Sequence, residues 1–212
     1  MGTGKRKYLC TAMVLLVMFA CWTAAVCRVD ARPIGPQGSV VGFAALNRQF
    51  HDLTGVNMTL YAITDWLGLV PVGICFGFAL LGLVQWIRRK QLRKVDRSLL
   101  VLGCFDLVVL AAYLLFEQFV VNYRPVLMDG FLEASYPSST TMLVLCVMPT
   151  AMLQLCVRIK KAGLRRAVLT LMAVFTVFMV VGRLLSGVHW LTDIVGGVLL
   201  SAGLVMLYVS FC

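Results

Sequence analysis

The chain has 212 residues, of which 61% are hydrophobic and only 13% charged, with a mean hydropathy of +0.93. A water-soluble globule of this size needs more polar surface, so a soluble domain is excluded and the chain is read as an all-α, polytopic membrane protein. The net charge of +10 lies in short basic runs beside apolar segments, which points to the lipid bilayer as partner and to no nucleic acid.

Apolar runs near bilayer length predict six transmembrane helices, at about 8–27, 66–87, 99–121, 141–157, 167–185 and 190–211. The first has a basic start like a secretory leader, but it is longer than a leader's apolar region and no small-x-small site followed by a polar start closes it, so it is read as a retained span. Lys5, Arg6 and Lys7 precede it, six basic residues lie between Arg88 and Arg97, and five between Arg158 and Arg166. Those fourteen of nineteen Lys and Arg residues fall on one side of the predicted spans. The positive-inside rule makes that side cytoplasmic, with both termini there, in a multi-pass protein of the cell membrane.

Between the first two spans, Phe43, Leu46, Phe50 and Leu53 recur at helical spacing, with Asn47, Arg48, His51 and Asp52 on other faces. This predicts a short amphipathic helix on the outer interface, read as an anchor ahead of a lid. The chain then divides into residues 1–60, an N-terminal membrane anchor helix plus an extracytoplasmic amphipathic loop, and residues 61–212, a helical core. The eight cysteines fall in or at the ends of apolar runs without a Cys-x-x-Cys pair or a companion His, and are read as small hydrophobes. Asp106 and Gln154 are the few polar residues deep in the spans.

Three constellations carry chemistry. Asn122-Tyr123-Arg124-Pro125 ends the third span, and Tyr136-Pro137-Ser138-Ser139-Thr140-Thr141 opens the fourth with hydroxyls and free N–H groups suited to an anion. Gly182-Arg183 closes the fifth, and His189 and Asp193 open the sixth. The four-residue spacing places His189 and Asp193 on one helical face, where the carboxylate accepts the Nδ1 proton and leaves Nε2 as nucleophile. Arg183 supplies a fork matched to phosphate oxygens. On the predicted topology all three lie on the extracytoplasmic face.

In order and spacing these motifs resemble the phosphatidic acid phosphatase type 2 superfamily, which includes membrane lipid phosphatases and vanadium haloperoxidases. Its pattern is Lys-x6-Arg-Pro, Pro-Ser-Gly-His and Ser-Arg-x5-His-x3-Asp. This chain has Glu117-x6-Arg124-Pro125, Pro137-Ser138-Ser139-Thr140 and Gly182-Arg183-x5-His189-x3-Asp193. The resemblance covers about residues 66–212. It implies that residues 61–212 form the family's helical core, that His189 attacks phosphorus to give a phosphohistidine, and that Asp193 orients its ring. Arg124 and Arg183, with the backbone near Ser138, Ser139 and Thr140, would hold the phosphoryl oxygens. No metal and no cofactor are implied.

Each motif also departs from the pattern. Thr140 replaces the family's general acid, Glu117 its lysine and Gly182 its serine. Glu117 is expected either to brace a guanidinium or, if protonated, to donate to the leaving oxygen. A diphosphate leaves as a phosphate with a pKa of about 6, whereas a monoester leaves as an alkoxide, so the missing acid points to a lipid diphosphate such as a polyprenyl carrier. The expected activity is a phosphatase or phosphotransferase acting on a membrane lipid phosphate or diphosphate. Two other readings stand beside it: a catalytically impaired relative that binds lipid phosphate or a partner protein, and a transporter.

Overall fold

The structure is a computed structural model that describes residues 3–212. Its helices are α1 (Thr3–Arg28), α2 (Ala44–Thr54), α3 (Met58–Leu67), α4 (Leu69–Arg89), α5 (Arg97–Gln118), α6 (Ser139–Arg158), α7 (Ala162–Leu185) and α8 (Leu191–Phe211). Six segments are long and apolar enough to cross a membrane, α3 and α4 together forming one rod from Met58 to Arg89. The chain is an all-α, multi-pass membrane protein. The second span begins at Met58, ahead of its predicted start, because α3 runs through Gly68 into α4.

α6 and α8 form the centre of the bundle, each half buried, while the α3–α4 rod is almost wholly exposed to its surroundings. α1 runs along α8, and the close approach depends on a small residue: a Cβ at Gly203 would sit 2.8 Å from the Leu16 side chain. Phe19, Phe105, Tyr136, Met142, Leu204 and Tyr208 make the main core cluster. A second cluster, with Val144, Met148, Met172 and Met179, fills the seam between α6 and α7. In lipid these contacts act by close packing, since the tails around the bundle are as apolar as its core.

The amphipathic segment is α2, and it turns Ala44 and Asn47 toward the protein while Arg48 and Asp52 stay exposed. Asn47 is fully buried, whereas Leu46 and Leu53 are exposed. Asn47 Nδ2 donates to Thr192 Oγ1 at 3.0 Å, and the Thr192 N–H donates back to Asn47 Oδ1 at 3.2 Å. That reciprocal pair satisfies an otherwise unpaired donor in the first turn of α8 and fixes α2 over it.

The loop between α5 and α6 is a miniature antiparallel ladder. Arg124 N–H donates to Glu133 O at 3.0 Å and Ser135 N–H to Asn122 O at 2.8 Å, and Met128 and Phe131 close the tip. Asp129 and Gly130 both have positive φ, 49° and 86°, the backbone that a two-residue Asp-Gly hairpin requires. Side chains alternate across such a ladder, so Asn122, Arg124, Glu133 and Ser135 share one face. That face looks onto the start of α8.

Candidate active site

Asp193 is the hub of the site. It is fully buried in the first turn of α8. Its Oδ1 accepts from Asn122 Nδ2 at 3.0 Å, and its Oδ2 accepts from the Trp190 N–H at 2.9 Å and from Ser135 Oγ at 2.5 Å. Two of these donors come from the hairpin, and the third closes the capping box of the helix. His189, also buried, lies two residues before α8. The two residues therefore do not share a helical face, and no direct hydrogen bond joins them. His189 Nδ1 instead stands 3.0 Å from Ser135 Oγ, so the hydroxyl lies between imidazole and carboxylate. His189 Nε2 is buried and has no protein partner.

Arg183, 1% exposed, is held by two helices besides its own. Its Nη2 donates to Thr140 Oγ1 of α6 at 2.8 Å and to Asp65 Oδ1 of α3 at 3.3 Å, and Nη1 reaches Thr64 Oγ1 at 3.5 Å. Gly182 has a packing reason. A Cβ there would fall 2.7 Å from Thr64 Cγ2, so a serine at this position would push α3 away from α7. Tyr61, one turn before Asp65, carries both guanidinium groups over its ring, Arg183 Cζ at 4.8 Å and Arg124 Cζ at 5.7 Å from the centroid. The ring's negative face offsets part of the repulsion between two neighbouring cations.

Arg124 is paired with Glu133 at 3.1 Å, but the N–H does not point along that line, and Nε and Nη1 make no hydrogen bond within the protein. Arg183 Nε and the Ser138 hydroxyl are likewise buried without a partner. Ser138 N–H donates to Asp193 O at 3.1 Å, so this amide is committed to joining α6 to α8 rather than free for a ligand. Ser139 and Thr140 line a cavity of about 560 Å³ together with Arg124 and Arg183. Glu117 lines the same cavity, exposed and in no ion pair with either arginine. The bracing carboxylates are Asp65 and Glu133.

Sequence reasoning gave no role to Ser135, Asn122, Tyr61 or Asp65, and of these it had named only Asn122. The Asp-Gly dipeptide at 129–130 was the available signal for the first two, because a hairpin there sets the register. The latter two lie on α3, ahead of the predicted second span. His51, half-buried, packs its ring against Trp190 at 5.5 Å, and burial holds its pKa below 6.5. Among the described residues no cluster of His, Cys, Asp and Glu is arranged to hold a metal ion.

Burial, then Arg124, then Arg183 hold the His189 pKa well below 6.5, against an opposing contribution from the Ser135 backbone. The unfolded chain takes up a proton on this ring as pH falls through its ordinary value, and the folded chain does not. His189 therefore costs no stability above that value and withdraws stability progressively below it. The ring is expected to stay neutral between about pH 6 and 8. With only two histidines in the chain, a ¹⁵N titration assigned with His51→Gln checks this. A His189 midpoint near the ordinary value would mean that the ring is solvated.

Six membrane-crossing segments that gather two arginines, a histidine and an aspartate at one end of the bundle, opposite its basic connections, define a polytopic helical protein with a buried polar site. The sequence profile of the PAP2 superfamily matches residues 109–211, which include Glu117 and every motif residue from Arg124 to Asp193. Over this region, just under half of the chain, the protein is similar to the PAP2 superfamily. Its fold is similar to that in the crystal structure of the first transmembrane PAP2 type phosphatidylglycerolphosphate phosphatase from Bacillus subtilis, with a TM-score of 0.56 and 21% identity over 94% of each chain. Among curated proteins no match is found.

Proposed function

We propose that the protein is a membrane lipid phosphatase that works through a phosphohistidine on His189. The observation that carries this reading is the set of buried, unpartnered polar atoms: His189 Nε2 as a nucleophile, with Arg124 Nε and Nη1, Arg183 Nε and the Ser138 hydroxyl as donors. Phosphoryl transfer asks mainly for such donors and for in-line positioning. The Nε2 lone pair forms the P–N bond while the leaving oxygen takes the P–O pair. Water then attacks phosphorus, and the P–N pair returns to Nε2 as inorganic phosphate departs.

An apolar groove of about 810 Å³ shares Asp65, Tyr113, Ser139 and Thr140 with the polar cavity and runs down between α4, α5 and α6 past Phe76, Leu110 and Val147. A headgroup site continuous with an apolar groove suits an amphiphile better than a soluble phosphate ester. The fourteen basic residues at the opposite end support a cytoplasmic position for both termini and an extracytoplasmic site.

Thr140 accepts from Arg183, so its position serves the phosphate clamp rather than proton donation. We infer a preference for a lipid diphosphate, whose leaving phosphate needs little protonation, over the matching monophosphate. Purified protein in detergent, assayed for phosphate release against paired lipid mono- and diphosphates, tests both levels. The expected result is release from both with a higher kcat/KM on the diphosphate. A preference for the monophosphate would show that another acid, with Glu117 the unpaired carboxyl in the cavity, has taken over. No release from either would place the protein among non-hydrolytic lipid phosphate binders. Thr140→His is a poor test of the missing acid, because it removes a partner of Arg183.

A further inference from the structure

We propose that Ser135 is a positioning residue that couples Asp193 to His189 and holds the imidazole in the Nδ1–H tautomer, leaving the Nε2 lone pair free. The inference rests on the reading of His189 as the nucleophile and goes beyond it, because the family pattern supplies only the His and the Asp.

The assignment follows from counting hydrogens. Ser135 Oγ carries one, and it has two neighbours: Asp193 Oδ2 at 2.5 Å and His189 Nδ1 at 3.0 Å. An ionised carboxylate only accepts, and Asp193 already accepts from Asn122 and from the Trp190 N–H. If the serine hydrogen pointed at Nδ1, two oxygens with lone pairs would face each other at 2.5 Å, and Nε2 would carry the proton and lose its nucleophilicity. With the hydrogen on Oδ2, Ser135 can only accept from Nδ1–H. The tautomer is thereby set.

The same arrangement serves the reaction. As Nε2 gives its pair to phosphorus the ring becomes cationic, and the Nδ1 proton stays where it is. Ser135 Oγ, polarised by its bond to Asp193, turns its negative end toward that proton. No proton passes through the serine. Ser135 is 2% exposed, and the ladder bond from its N–H to Asn122 O at 2.8 Å fixes its backbone. The geometry is preorganised rather than assembled by substrate.

Removing groups that orient a metal-bound imidazole typically costs about 10–100-fold, and Ser135→Ala is expected to lower kcat by a similar factor with KM unchanged. Ser135→Thr, which keeps the hydroxyl, should recover most of the loss. The double variant Ser135→Ala/Asp193→Asn should be little slower than Asp193→Asn alone, because both changes break one path. Independently of turnover, ¹⁵N spectra of His189 in the wild-type protein should show a protonated Nδ1 and an unprotonated Nε2, and Ser135→Ala should shift them toward mixed tautomers. Wild-type kcat in Ser135→Ala, or an unprotonated Nδ1 in the wild type, would overturn the assignment. If His189→Ala releases phosphate as fast as the wild type, the phosphatase reading itself falls, and the tautomer measurement still decides the role of Ser135.

Discussion

His189→Ala is expected to abolish phosphate release from lipid phosphates, with a loss of about 10⁴-fold or more, as when the central member of a nucleophilic constellation is removed. The fold should survive the change. The side chain makes its one hydrogen bond to Ser135, and Asp193 keeps all three of its donors. Phosphate release and a thermal midpoint in detergent, measured on the same preparation, separate the two effects. Quenching the wild-type reaction should trap an acid-labile phosphoryl group on the protein, absent in His189→Ala. Turnover within tenfold of wild type, by rough appeal to the 10²–10⁴ that positioned proton transfer alone contributes, would mean that His189 is no nucleophile.

Arg183→Lys is expected to lower kcat/KM by about 10²–10³-fold, the usual effect of losing one preorganised donor to a transition-state oxyanion. Lysine retains the charge but not the planar fork. In this protein the fork has two tasks. Nη2 is spent on Thr140 and Asp65, while Nε is buried without a partner, and a single ammonium cannot fill both positions. The thermal midpoint should fall as well, because the guanidinium joins α3, α6 and α7. A variant that loses stability but keeps kcat/KM within about threefold, a difference of well under 1.4 kcal/mol, would reduce Arg183 to a strut.

The helical frame was legible because it depends on local composition. Long apolar runs must become helices in lipid, where unpaired backbone groups have no water to meet, and the six segments found match the six expected apart from an earlier start to the second. The amphipathic helix at Ala44–Thr54 was visible from spacing, but which face turns inward was not. Periodicity separates polar from apolar sides and cannot say that one polar residue, Asn47, turns inward to meet Thr192 while Arg48 and Asp52 stay exposed. Glu117 was expected either to brace a guanidinium or to donate a proton, and the structure removes the bracing role, because Asp65 and Glu133 hold the arginines from other elements.

By itself the sequence determined the membrane class, the basic side of the bundle and the identity of the groups at its other end, since charge, hydropathy and motif spacing are properties of the chain order. Only the tertiary structure decided how those groups are joined. His189 and Asp193 are four residues apart, yet their link runs through Ser135, which is distant in the chain and arrives through the register of a two-residue hairpin. Tyr61 and Asp65 reach Arg183 because Gly182 lets α3 lie against α7. Such contacts depend on backbone separations of a few ångströms between elements far apart in sequence, and local residue patterns carry no information about them until the bundle closes.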